Sequence, residues 1–270
     1  NRIAGDAGQR LSASGDFDLD LALSVPLAVA KGVGIEASLS TEDGSLLYSP
    51  ANLRWQNIRG VLHYSSENGI SEEPLSARFL GQPVDIRLRT DPVRGALTVI
   101  QTGQTSVASL TAALMPQGQP LPGLSGQLPY TARLDVVPGA DARLAVTADG
   151  SALRSEWPAP LAREPGPDET IEALLRWPDG EQLLLEAQWG QRLFAALEWQ
   201  GADFHSGQVN VGDGSARFPV EDGLMIRAAF DRFVPARWQA WLARLGVGVG
   251  ESSSGAEGTG ERFDWLNNID

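Results

Sequence analysis

From Phe17 to Leu27 every second residue is apolar: Phe17, Leu19, Leu21, Leu23, Val25 and Leu27, with Asp18, Asp20, Ala22 and Ser24 among the residues between them. A period of two sends alternate side chains to opposite faces of a strand. At roughly 3.3 Å per residue the run spans about 36 Å, long for a strand in a compact domain. One face is hydrocarbon and the other carries carboxylates, which suits an antiparallel sheet with one dry side.

The same alternation recurs along the chain. Val33, Ile35, Ala37 and Leu39 repeat it, and Glu42–Gly44 makes a turn. Leu53 and Trp55 share a face; Ile58–Tyr64 is a further strand with Gly60 at a bulge. After a turn at Glu67–Gly69 come Leu75, Ala77 and Phe79, then Val84, Ile86 and Leu88 separated by Asp85 and Arg87, then Ala96–Gln101. These predict a meander of hairpins. At Ser106–Met115 the period changes: Val107, Leu110 and Leu114 fall on one helical face behind a Ser106 cap, and Pro116 stops the helix. Met115–Pro129 reads as a connector.

Strands resume at Tyr130, Ala132, Leu134 and Val136, then Leu144 and Val146; the proline-rich Pro158–Pro167 is a loop or a sheet edge. Leu183, Leu185, Ala187 and Trp189 alternate, as do Leu193, Ala195, Leu197 and Trp199, joined by a tight hairpin at Gly190–Arg192. Val209 and Val211 and then Leu224, Ile226, Ala228 and Phe230 complete the strand pattern. Pro235 opens a second helix in which Trp238, Trp241, Leu242 and Leu245 share a face, the tryptophans anchoring it to the sheet edge. The organisation expected is a lead-in over 1–16, one β segment over 17–245, a flexible Gly/Ser/Glu-rich linker over 246–262 and the start of a further element at 263–270.

Composition narrows the function classes. Twenty-one Lys and Arg against 34 Asp and Glu give a net charge of −13, which repels a phosphate backbone and disfavours polybasic docking on anionic lipid. The 270 residues contain no cysteine, which removes disulfides, thiolate metal sites and cysteine nucleophiles. No apolar run reaches the roughly 18–20 residues of a membrane helix. The chain opens at Asn1 rather than Met and reads as a fragment or a processed form, for which any anchor or targeting signal would be expected outside it.

Candidate chemistry is sparse. His63 and His205, the second near Asp203, match no metal-ligand spacing and read as surface-strand residues. The acid pairs Glu72–Glu73 and Asp168–Glu169 would serve glycoside hydrolysis only if the fold brought two carboxyls together. No Gly-x-Ser-x-Gly elbow precedes a helix, and Gly246–Gly250 follows a helix rather than opening one. Catalytic and metal residues are therefore assigned to none. The eight tryptophans continue hydrocarbon stripes, which points to core packing or an apolar cavity rather than a carbohydrate platform.

Three stretches carry a family resemblance: Arg59–Ile70 followed by Phe79–Thr90; Trp157–Gly166 (WPAPLAREPG); and Phe218–Leu242, a Pro-x-x-x-Gly-Leu strand running into a Trp-containing helix. In this order and spacing they resemble the AsmA-like superfamily, in particular its very large YhdP group, over Phe17–Leu245. Trp157 stands where that group's recurring block has Leu, and Arg163 where it has Lys. The resemblance implies a mainly β fold in which a long curved antiparallel sheet with two short helices forms an elongated open groove, a β-taco. It implies a segment of a periplasmic bridge that conducts phospholipid between inner and outer membranes without cofactor or catalysis, in a protein anchored to the inner membrane. Its partners would be phospholipid acyl chains and neighbouring repeats of the same long chain. The lining residues expected are Phe17, Leu19, Leu21, Leu23, Val84, Ile86, Leu88, Leu185, Ala187 and Leu197. Two other readings stay open: a closed β-sandwich acting as a scaffold, adhesion or carbohydrate-binding module, and a hydrolase on a β scaffold.

Overall fold

The computed structural model describes residues 11–25, 33–48, 53–71, 73–114, 121–167, 169–178, 182–201, 203–212, 214–229 and 234–244. Leu27, Glu72, Met115, Pro116, Asp168, Phe230, Leu245, the 246–262 linker and the 263–270 element lie outside them.

Alternating segments become strands, as their period requires. In chain order these are β1 (Leu11–Ser14), β2 (Asp18–Ser24), β3 (Gly34–Tyr48), β4 (Leu53–Ser65), β5 (Gly69–Ile70), β6 (Leu75–Phe79), β7 (Gln82–Asp91), β8 (Ala96–Ser106), β9 (Leu124–Ser125), β10 (Gln127–Val136), β11 (Ala142–Asp149), β12 (Arg154–Ser155), β13 (Thr170–Trp177), β14 (Gln182–Trp189), β15 (Leu193–Gln200), β16 (Asp203–Val211) and β17 (Gly223–Ala228). Two short helices interrupt them, α1 (Val107–Leu114) and α2 (Pro235–Arg244). The Ser106 hydroxyl accepts from the Ser109 amide at 2.9 Å, capping α1 as its spacing predicts.

One large sheet, not closed into a barrel, runs β1-β3-β4-β6-β7-β8-β10-β11-β13-β14-β15-β16-β17, with β2 also on β3 and β5 also on β4. β9 and β12 form a separate ribbon. The fold is mainly β, as expected, with four local corrections. Glu42–Gly44, expected as a turn, lies inside β3, where the pairing with β4 shifts register. Leu11–Ser14 pairs with β3, so part of the stretch read as lead-in is strand. β9 and the start of β10 lie inside the stretch read as a connector. β17 runs parallel to β16 where an antiparallel sheet was expected. A parallel neighbour needs a crossover, and the chain after Gly212 supplies it, Asn210 Nδ2 donating to the Ser215 carbonyl at 2.7 Å. That segment accompanies the burial of Ser206, Gln208 and Asn210, a polar row that would otherwise face water.

The chain divides into two compact units: residues 1–105, 129–147 and 175–180, and residues 106–128, 148–174 and 181–270. Both helices belong to the second. Among the described residues, the first unit contains no helix.

Candidate apolar lipid-bearing faces

In the first unit, strand register assembles one hydrocarbon face. Leu19 pairs with Leu39, Leu21 with Ala37 and Leu23 with Ile35. Leu39 pairs in turn with Leu62 and Ala37 with Tyr64. The opposite face carries Asp18 beside Ser40, Asp20 beside Ser38 and Ala22 beside Glu36. Leu19, Leu21 and Leu23 are 64%, 59% and 60% exposed. Three adjacent leucines left this bare form an apolar surface, not a sheet face packed in a core. Phe17 is also exposed, and its ring lies over Gly44, where an added Cβ would come within 3.2 Å of it.

The same face continues onto β6 and β7. Gly60 on β4 leaves room for Leu75: a Cβ there would meet the Leu75 Cδ2 at 2.6 Å. Leu75 pairs with Ile86, and Ala77 with Val84. Ile86 pairs with Gln101, and Leu88 with Val99. Ile86 and Leu88 are half-buried, whereas Val84 is 4% exposed, sealed among Ala77, Gly103 and their neighbours, so it presents no open lining surface.

One contact establishes how far this face bends. Trp55 Nε1 donates to Gln101 Oε1 at 2.6 Å, although β6 and β7 lie between β4 and β8 in the sheet. Trp55 is in register with Phe79, and Gln101 with the Leu75–Ile86 row, four residues away along β6. In a flat sheet, three strand spacings of about 4.8 Å and four residues of about 3.3 Å would separate their backbones by about 19 Å. An indole and an amide side chain do not span that gap, so the first unit's sheet curls toward its apolar face. Gln101 Nε2 in turn donates to the Tyr130 hydroxyl at 2.5 Å. Burial pushes the Tyr130 phenol up from its ordinary pKa, the bond from Gln101 offsetting part of the rise, so it stays neutral.

The second unit has its own apolar face. Leu185 pairs with Leu197 and Ala187 with Ala195. Leu197 then meets Gly207, Ala195 meets Val209, and Val209 meets Ile226. Leu185, Ala187 and Leu197 are half-buried and Ile226 is 63% exposed. At the Trp189 end the face is covered. Trp157 packs edge-on against Trp189 with centroids 6.4 Å apart and against Trp241 of α2 at 5.3 Å. Trp241 thus docks α2 onto Trp157, and Trp238 packs edge-on against Trp241 with centroids 5.4 Å apart.

The expected lining residues thus fall into two patches, one on each unit: Phe17, Leu19, Leu21, Leu23, Val84, Ile86 and Leu88, and separately Leu185, Ala187 and Leu197. Sequence reasoning passed over Trp55, Gln101 and Tyr130 as site residues. Their one signal was a glutamine at a position where strand alternation calls for an apolar side chain.

Polar groups elsewhere pair locally. His63 lies 3.7 Å from Glu73 and His205 3.5 Å from Asp222, not Asp203. Glu169 is buried between Arg163 and Arg192. Among the described residues no three His, Asp or Glu side chains converge as a metal set, and no helix is long and apolar enough to cross a membrane.

Bare leucines on one face of β2, carboxylates on the other and a sheet bent toward the apolar side define a class: open β-sheet proteins with part of their apolar face uncovered. The chain belongs to the YhdP family, which matches residues 2–268. Its members are envelope-associated lipid-transport proteins. No curated protein and no solved structure matches the chain.

Proposed function

We propose that this chain is a segment of a periplasmic bridge carrying phospholipid between the inner and outer membranes, with acyl chains lying on the apolar faces and headgroups in water. The Leu19–Leu21–Leu23 surface carries this reading. Its leucines stand about 60% exposed on strand β2, while the opposite face of the same strand is acidic. Each acyl methylene withdrawn from water onto such a surface gains roughly 0.8 kcal/mol when fully buried. Repeated Leu, Ala and Ile positions offer many similar weak contacts, which suits movement along the face better than a single deep pocket. In this reading the lining set is Phe17, Leu19, Leu21, Leu23, Ile86, Leu88, Leu185, Ala187 and Leu197, with Val84 beneath it. The neighbouring partners are further repeats of the same long chain, and the membrane anchor belongs to another part of it.

Native mass spectrometry of the purified chain tests this. Co-purified diacyl phospholipid, stripped by detergent and regained from vesicles, supports the reading. A chain that stays lipid-free in the presence of vesicles, and whose surface binds no apolar dye, contradicts it and favours a closed sandwich.

A further inference from the structure

We infer that Trp55, Gln101 and Tyr130 form a polar bar across the first unit's concave face, and that this bar sets how far acyl chains can enter it. The inference rests on the lipid reading above and concerns the same face. The bar runs from β4 to β8 to β10 through two side-chain hydrogen bonds, Trp55 to Gln101 at 2.6 Å and Gln101 to Tyr130 at 2.5 Å. The Trp55 ring is fixed from behind by stacking on Phe79, centroids 4.9 Å apart. Gln101 is buried, and so are Leu75, Ala77 and Val84 on the neighbouring strands, while Leu19, Leu21 and Leu23 on the same face are bare. The change from open to sealed hydrocarbon therefore falls where the bar crosses.

The chemistry gives the bar its selectivity. A polymethylene chain has no acceptor, so pushing it between Trp55 and Gln101 leaves the indole N–H and the Gln101 amide oxygen without partners in an apolar setting. Acyl chains are then held on the β2–β3 side and along Leu88 while the bar is made. Passage across the Ala77–Val84 floor requires the Trp55–Gln101 bond to open. Weakening that bond should admit lipid.

Trp55→Phe removes the donor but keeps a ring for Phe79; Gln101→Leu and Tyr130→Phe remove the middle and the end of the bar. A benzophenone amino acid is placed either at Leu21, on the bare surface, or at Ile86, in register with Gln101. The full chain is irradiated with vesicles of phosphatidylethanolamine and phosphatidylglycerol. The bar predicts that the ratio of lipid adducts at Ile86 to those at Leu21 rises about fivefold in Trp55→Phe, the order expected for loss of one buried hydrogen bond. It predicts a similar rise in Gln101→Leu and a smaller one in Tyr130→Phe. An unchanged ratio, with lipid still captured at Leu21 and only the melting temperature lowered, overturns the bar as a barrier and leaves the lipid reading standing. Absence of adducts at Leu21 in the unsubstituted chain overturns the lipid reading and the bar with it. Should Gln101→Leu not fold, Trp55→Phe decides.

Discussion

Arg163 Nη1 lies 2.6 Å from Glu169 Oε2, and each side chain is only 8% exposed. Arg163 Nη2 also donates to the Gly166 carbonyl at 2.8 Å, and Arg192 approaches Glu169 from the other side at 3.4 Å. This buried carboxylate pins the WPAPLAREPG loop to the second unit's sheet, where Glu169 precedes β13 and Arg192 precedes β15. Removing the carboxylate strands a buried guanidinium, a change that costs about 3–5 kcal/mol. Glu169→Ala is therefore expected to lower the urea midpoint of the purified chain sharply. Arg163→Lys restores the residue found in the resembling block; it keeps the charge but not both directed bonds, and should cost about 1 kcal/mol.

Close packing on the concave face makes a second expectation. A Cβ on Gly103 would sit 2.6 Å from Val84 Cγ1, at an ordinary backbone conformation, so space rather than backbone strain demands glycine. Gly103→Ala should destabilise the chain by about 1–3 kcal/mol, the usual cost of overpacking. Gly81→Ala is opposite in kind: its φ is +77° and nothing lies within 4 Å, so its penalty is conformational.

Asp135 gives a pH dependence. The hydrogen bond from Arg133 holds its carboxyl below the usual aspartate range, helped by the Thr98 hydroxyl and opposed by partial burial. A depressed folded pKa contributes stability above the unfolded value of about 3.9 and loses it as pH falls through the folded value. With the pair partly exposed, the contribution is about 1 kcal/mol or less. Wild type should exceed Asp135→Asn in stability at pH 6, and the gap should narrow in denaturation curves as the pH is lowered beneath the unfolded value of about 3.9.

Charge placed on the bare surface separates transport from folding. Leu21 is already more than half exposed, so Leu21→Asp should change the melting temperature little yet cut phospholipid capture several-fold, because an ionised carboxylate resists a hydrocarbon contact. Ile86→Asp should do the same with some loss of stability. Arg87→Asp, on the opposite face, should leave lipid capture unchanged in the same assay.

Much of this fold was legible because period-two alternation is local. The β2 leucines, the Val84–Leu88 strand, the Gly190 hairpin and the Ser106 cap each follow from neighbours a few residues apart. Curvature does not. Trp55 and Gln101 are 46 residues apart and meet only because the sheet between them bends. The Ser206–Gln208–Asn210 row alternates with Gly207, Val209 and Val211, and the burial of its polar side chains is not written in that alternation. In the sequence Trp157 stands at the head of a proline-rich stretch. Its place between Trp189 and Trp241 depends on a helix nearly eighty residues further along the chain.

The central claim is that one face of β2 touches lipid and the other does not. Benzophenone placed in turn at Asp18, Leu19, Asp20, Leu21, Ala22 and Leu23, with phospholipid adducts counted by mass spectrometry, tests it most directly. The account predicts a period of two, with capture at Leu19, Leu21 and Leu23 and little at the three positions between them. Equal capture at all six positions, or none at any, contradicts it.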